Sequence, residues 1–310
     1  MEFTTDFIFF AIGLLVLLKG ASIFTDNASR IAKSIGVSDI VIGLTLVAFT
    51  TSLPELAVSV LSAFRGIPGI ALGNVIGSNI ANIGLVLGIA AIVTPGIATR
   101  KSELRQSYIM IIVTFIATLF LLDGLTPIDG IILIAGLFGY VYYLYKDKDL
   151  KENIIEKIVD RSSLPKGLTL CLIGAAGVLI GAELMVSAST SIASGFGITE
   201  SVIGLTIIAI GTSLPEMATS ITAAFKKLEG IALGNIIGSN IFNLMMVMGL
   251  SAIAGTMPAD FSIISQSVPV MIMLSVILVI LMKTENKLGR VEGIALLSIY
   301  SFFIYMKFFL

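Results

Sequence analysis

Histidine is absent from this chain, cysteine occurs once, at Cys171, and charged residues make up only 13% of the sequence. Without histidine, the usual zinc ligand, general base and neutral-pH switch are missing. A single cysteine excludes an intrachain disulfide and a thiolate metal cluster. Any metal must therefore be held by oxygen. Charge this sparse, in 310 residues that are 56% hydrophobic with a mean hydropathy of +1.05, cannot solvate a soluble globule. The 19 basic and 20 acidic residues leave a net charge of −1, so nothing points to nucleic acid as a partner.

Long apolar runs are what the chain has in abundance. With about 20 apolar residues needed per crossing, spans are predicted near residues 7–25, 40–64, 69–93, 106–122, 128–145, 167–190, 201–225, 230–254, 262–282 and 289–309. The expected fold is an all-α integral membrane protein of ten transmembrane helices. Met1 is followed by Glu2 and Asp6 rather than a basic leader, so the first span is expected to stay in the mature chain. Ten crossings put both termini on one face. The loops of one face carry Arg30, Lys33, Arg100, Lys101, Arg105, the charged stretch from Lys146 to Lys166, Lys226, Lys227, Lys283, Lys287 and Arg290, whereas the other face has only Arg65 and Lys307. By the positive-inside rule the basic loops are cytoplasmic and both termini extracellular, in a cell membrane.

The chain repeats itself. Residues 41–60 read VIGLTLVAFTTSLPELAVSV and residues 202–221 read VIGLTIIAIGTSLPEMATSI; residues 69–82 read GIALGNVIGSNIAN and residues 230–243 read GIALGNIIGSNIFN. One offset of 161 residues aligns both blocks without a gap. Each copy holds five spans, and an odd number of crossings makes the second copy enter from the opposite side. The expected organisation is a first repeat over 1–146, a cytoplasmic linker over 147–166 and a second, inverted repeat over 167–310. Inverted repeats of this kind build secondary transporters, with the substrate site near the midplane where the repeats meet.

A carboxylate at the bilayer centre costs about 2.5–3.5 kcal/mol on insertion scales, so it persists only against a cavity or a partner. Outside the first and sixth spans, the deep ionisable groups are Glu55 and Glu216, which are repeat mates inside identical TSLPE motifs. Glu183 and Lys19 also fall within spans, but their mates are Ser22 and Ile180, and both lie within snorkelling reach of an interface. On a helix, Thr51, Ser52 and Glu55 present oxygen to roughly one face, and Thr212, Ser213 and Glu216 repeat the arrangement. Pro54 and Pro215 lack an N–H and free the carbonyls of Thr50 and Gly211. Ser78 and Asn82, and likewise Ser239 and Asn243, add hydroxyl and amide oxygen. This donor set suits Ca²⁺ or Na⁺ rather than a soft metal. Gly73 with Gly77, and Gly234 with Gly238, permit close helix approach.

The duplicated TSLPE with GNxIGSN resembles the two alpha repeats of the sodium/calcium exchanger family, within the cation/calcium exchanger superfamily, and the resemblance covers all ten spans. It implies two inverted five-helix halves whose second, third, seventh and eighth spans enclose the cation sites. Ligands implied by motif match are Ala48, Thr51, Ser52 and Glu55, Ser78 and Asn82, Ala209, Thr212, Ser213 and Glu216, and Ser239 and Asn243, the alanines acting through backbone carbonyls. It also implies sliding of the first and sixth spans across the rest, for which Gly13, Gly20, Gly174 and Gly181 offer smooth faces, although plain packing explains these glycines equally well. Two positions depart from the family pattern: several members have Asp where this chain has Asn243, leaving two carboxylates rather than three, and Thr50 stands where the second repeat has Gly211.

The function expected is exchange of Na⁺ for Ca²⁺ at one shared site, with no enzyme activity and no cofactor. The partners are the two ions and the lipid bilayer, and the chain is read as a monomer. An H⁺/Ca²⁺ antiporter is the alternative, with Glu55 and Glu216 carrying protons. A cation channel is the rival from another class. An intramembrane hydrolase is disfavoured because no histidine and no GxGD or GxSG motif is present.

Overall fold

The computed structural model describes residues 2–34, 47–99, 101–146, 164–227, 229–284 and 287–309. The 147–166 linker lies almost wholly outside them, as do residues 40–46 of the second expected span. In chain order the helices are α1 (Glu2–Ser34), α2 (Val47–Thr51), α3 (Leu53–Phe64), α4 (Pro68–Ala81), α5 (Gly88–Val93), α6 (Lys101–Leu122), α7 (Pro127–Lys146) and α8 (Leu164–Phe196). They continue with α9 (Glu200–Ile203), α10 (Ala209–Thr212), α11 (Leu214–Phe225), α12 (Glu229–Phe242), α13 (Met248–Ala254), α14 (Val268–Thr284) and α15 (Arg290–Phe309). Eight of the spans are single runs long and apolar enough to cross a membrane. A ninth is the pair Glu200–Thr212 and Leu214–Phe225, bent by 44°. Its repeat mate, α2 with α3, supplies the described part of the tenth.

The helices form where the apolar runs predicted them, with one difference of length. α1 and α8 have 33 residues each, about 50 Å of helix, against a hydrocarbon core of about 30 Å. The expected spans 7–25 and 167–190 are therefore the middles of longer helices, and Arg30 and Lys33 lie in the last turns of α1 rather than in a loop.

Two pairings of loops fit the ten-span order. The short strands β1 (Ile97–Ala98) and β2 (Lys287–Leu288) pair antiparallel, and Leu125 bridges Met257. Each contact joins loops that the ten-span reading assigns to the same face.

α1 packs antiparallel along α8. A Cβ on Gly13 would meet Met185 N at 2.9 Å, and one on its mate Gly174 would meet Phe24 N at 2.6 Å. A Cβ on Gly20 would meet Val178 N at 2.6 Å, and one on Gly181 would meet Leu17 N at 2.4 Å. These are backbone atoms that cannot step aside. The four glycines therefore bind α1 to α8 as one unit, so of the two readings offered for them it is packing that their contacts support. Gly73 and Gly77 do what was expected of them, bringing α4 against the segment 201–209, where a Cβ would meet Ser201 O at 2.7 Å and Leu205 O at 2.5 Å.

The core is built around the two GNxIGSN helices. The windows Pro68–Val93 and Gly230–Ala254 are 83% and 89% buried, so protein rather than lipid covers them on all sides. Both contain a one-turn widening into π-helix, Asn82–Leu87 and Asn243–Val247. Such widenings recur at functional sites because they re-aim side chains, and each here begins on a candidate ligand.

Candidate ion site

Proline decides the local backbone at each carboxylate. Pro54 and Pro215 sit in the first turn of α3 and α11, and the preceding Ser52 and Ser213 leave the helical region at φ −84°, ψ 7° and φ −80°, ψ 5°. Glu55 and Glu216 are thereby placed in the first turn of a fresh helix, where the macrodipole favours an anion. Ser52, Ser213, Glu55 and Glu216 have no exposed surface.

The break also redirects the hydroxyls. Ser52 Oγ donates to Glu216 Oε1 at 3.3 Å, and Ser213 Oγ donates to Glu55 Oε1 at 3.3 Å. Ser239 Oγ donates to Glu216 Oε1 at 3.3 Å, and Thr51 Oγ1 lies 3.2 Å from Ser239 Oγ. Thr212 Oγ1 lies 3.4 Å from Ser78 Oγ. The hydroxyls of the TSLPE motifs thus serve the carboxylate of the other repeat. This corrects the expectation that Thr51, Ser52 and Glu55 form one face of one helix: the turn at Ser52 separates them, and the face is shared across the twofold axis.

Two asparagines that sequence reasoning passed over organise these contacts. Asn74 Nδ2 donates to Ser59 Oγ at 2.9 Å and to the Glu55 carbonyl at 3.3 Å, while its Oδ1 accepts from Thr212 at 3.0 Å and Ser78 at 3.5 Å. Its mate Asn235 donates to Ser220 Oγ at 3.0 Å and to the Glu216 carbonyl at 3.4 Å, and accepts from Thr51 at 3.4 Å. Both are the N of the duplicated GN, an uncharged amide repeated at the same offset as the carboxylates.

Other candidates make no hydrogen bond to either carboxylate among the hydrogen bonds described. Asn82 Nδ2 donates to Asn240 Oδ1 at 3.0 Å, and the Asn243 side chain makes no hydrogen bond among the described residues. The Ala209 carbonyl accepts the Ser213 N–H at 3.1 Å and Thr212 Oγ1 at 3.4 Å. Ala48 lies in α2. Thr50 is buried beside the break.

Glu55 Oε2, Glu216 Oε2, Asn82 Oδ1 and Asn243 Oδ1 are buried oxygens without a partner among the described residues. An unmet buried polar group costs about 1–3 kcal/mol, and more when charged. Paired carboxylates beside hydroxyls able to turn their lone pairs inward are chemically suited to a hard cation. No group of three or more His, Cys, Asp or Glu side chains occurs among the described residues, so a metal there would rely on two carboxylates and neutral oxygens.

Glu183 is not an isolated charge reaching for an interface. Arg65, at the end of α3, forms an ion pair with it across the repeats and also donates to Ser187 Oγ at 3.0 Å.

Two inverted membrane repeats closing on a buried, oxygen-lined pair of acids define a secondary transporter. Comparison with known proteins carries this further. The family profile described as "Sodium/calcium exchanger protein" matches residues 5–146 and 166–309. The chain is 35% identical to the sodium/calcium exchanger MaX1 of Methanosarcina acetivorans, with 99% of each chain covered, and 36% identical to the putative antiporter CaxA of Alkalimonas amylolytica, with 97% of this chain and 98% of that one. Among solved structures, one of the sodium-calcium exchanger NCX_Mj soaked with Na⁺ and Sr²⁺ superposes with a TM-score of 0.69 at 35% identity, covering 97% of both chains. The chain belongs to the sodium/calcium exchanger family and is a multi-pass membrane exchanger.

Proposed function

We propose that this protein exchanges Na⁺ for Ca²⁺ by alternating access, the two ions competing for one site at the junction of the repeats. The observation that carries the reading is the reciprocal bonding of Ser52 to Glu216 and Ser213 to Glu55, together with buried carboxylate and amide oxygens that have no partner among the described residues. Glu55 and Glu216 supply the charge. Thr51, Ser52, Thr212, Ser213, Ser78 and Ser239 supply hydroxyls, Asn82 and Asn243 supply amide oxygens, and Ala48 and Ala209 supply backbone carbonyls. Relatives named for sodium/calcium exchange, and NCX_Mj structures soaked with Na⁺, Ca²⁺ or Sr²⁺, support this choice of ions.

Two fixed negative charges match one Ca²⁺ or two Na⁺. Empty, the two acids repel in a medium of low dielectric, which makes a bare site costly to occlude. A bound cation relieves that cost, so the protein changes faces loaded, and the two fluxes are coupled. A third Na⁺ would carry one net charge per cycle, which a membrane potential biases by about 2.3 kcal/mol per 100 mV. The basic loops are assigned to the cytoplasm and both termini to the outside. The protein acts as a monomer of two inverted repeats, 1–146 and 167–310, joined by a cytoplasmic linker.

The test is ⁴⁵Ca²⁺ uptake into proteoliposomes driven separately by outward Na⁺ and H⁺ gradients. Uptake with Na⁺, lost in Glu55→Gln and Glu216→Gln proteins that still fold, supports the reading. Uptake driven by H⁺ alone overturns the coupling ion, flux without any counter-ion makes the protein a channel, and an active double variant removes the carboxylates from the site.

A further inference from the structure

The ion site and the α1–α8 contact both obey the internal twofold symmetry, but the docking of the α1–α8 unit on the remaining helices does not. α3 packs along α8, whereas its mate α11 has almost no contact with α1. The α3–α8 contact ends in the ion pair of Arg65 with Glu183 and the bond of Arg65 to Ser187.

The offset of 161 residues carries Arg65 onto Lys226, Glu183 onto Ser22 and Ser187 onto Asp26. Arg65 caps the C-terminus of α3 and Lys226 caps the C-terminus of α11. The following residues, Gly66 and Lys227, both turn through positive φ, at 71° and 57°. On the α1–α8 unit, Glu183 with Ser187 and Ser22 with Asp26 are each an acid and a hydroxyl one helical turn apart, the order reversed. A base at the end of a fixed helix and an acid on the facing unit therefore occur in both halves. One pair is made; Asp26 and Lys226 are exposed and form no ion pair with each other.

We propose that Arg65–Glu183 and Lys226–Asp26 are alternative latches, one for each membrane face, that close in turn. The first holds the α1–α8 unit against α3 in the arrangement described here. The second holds it against α11 when the transporter faces the other way. The proposal rests on the alternating-access reading above. Its chemistry fits a carrier: an exposed ion pair shifts an equilibrium by no more than about fivefold, enough to bias either face and too little to trap it.

The test uses the full chain with Cys171→Ala, carrying either R65C with E183C or D26C with K226C, and a bis-methanethiosulfonate reagent of the span of an Arg–Glu pair. Both pairs are expected to cross-link in membranes, each cross-link arresting ⁴⁵Ca²⁺ exchange until a reductant is added. E183Q in the D26C/K226C protein is expected to speed that cross-link by up to about fivefold. Failure of D26C/K226C to cross-link in a protein that exchanges ions overturns the proposal, as does unchanged exchange through cross-linked R65C/E183C. Should a cysteine variant not fold, R65E and R65E/E183R replace it: exchange changed by the first and restored by the second supports the latch, and identical exchange in both and in wild type refutes it. Wild-type flux measured without a counter-ion separates the two failures, since counter-ion-independent flux defeats antiport itself.

Discussion

Replacing Asn74 by alanine tests whether the buried amide positions the site or merely fills space. The substitution removes the donor to Ser59 Oγ at 2.9 Å and to the Glu55 carbonyl at 3.3 Å, and the acceptor of Thr212 Oγ1 at 3.0 Å. Thr212 retains a weaker contact with the Ala209 carbonyl at 3.4 Å. With roughly two buried polar groups left unmet at about 1–3 kcal/mol each, and one of them partly compensated, the expected destabilisation is about 2–4 kcal/mol. Thr212 also loses its orientation toward the other repeat, so Ca²⁺ affinity falls with stability. Thermal unfolding of the detergent-solubilised protein, with and without Ca²⁺, reads both. A ligand at 100 times its Kd stabilises by about 2.7 kcal/mol, and a tenfold loss of affinity removes about 1.4 kcal/mol of that gain. Asn79→Ala is the control, because Asn79 Nδ2 donates only to the Val75 carbonyl, at 2.8 Å, and bonds no ligand hydroxyl. If Asn74→Ala lost stability yet kept the full Ca²⁺-induced gain, as Asn79→Ala should, the positioning role would be refuted.

Gly181→Ala, with its new Cβ 2.4 Å from Leu17 N, is expected to lose about 1–3 kcal/mol and to slow exchange, while Gly139→Ala, which meets nothing within 4 Å, is expected to lower neither the melting temperature nor ⁴⁵Ca²⁺ uptake. Lys227 holds a left-handed φ of 57° where its repeat mate is glycine, so Lys227→Gly is expected to raise the unfolding free energy by about 0.5–1 kcal/mol in a denaturation series. Asn243→Asp adds a third fixed charge. With Ca²⁺ bound, the site then carries one net negative charge, so its step between faces feels up to about 2.3 kcal/mol per 100 mV, and the rate of Ca²⁺–Ca²⁺ exchange, insensitive to voltage with two carboxylates, becomes voltage-dependent in proteoliposomes clamped with valinomycin; a rate that stays insensitive would put residue 243 outside the field of the site.

The repeat, the crossing helices and the two acids were legible because each leaves a local trace: an offset, an apolar run, a charge where hydrocarbon forbids one. Contacts across the twofold axis leave none. Thr51, Ser52 and Glu55 read as a single helical face because helical spacing assumes an unbroken helix, and the turn at Ser52 sends its hydroxyl to Glu216 instead. Glu183 read as a snorkelling charge because its partner Arg65 is far away in sequence. Asn74 and Asn235 were hidden by chemistry rather than distance, since an amide carries no charge to raise the cost of burying it, and only their bonds reveal that they are hubs.

The glycine contacts between α1 and α8 have the form of a dimer interface. Gly13 meets Met185 as Gly174 meets Phe24, and Gly20 meets Val178 as Gly181 meets Leu17. Each half thus presents the same patch and receives it, as two copies do in a twofold homodimer. A free-standing five-helix half would carry both sides of this contact, and two such chains inserted head-up and head-down could build it without a linker. Fusion of two halves then leaves the patch free to remain identical while the exposed charges on either side diverge, so that one chain acquires distinct inner and outer surfaces around a centre that still behaves as a pair.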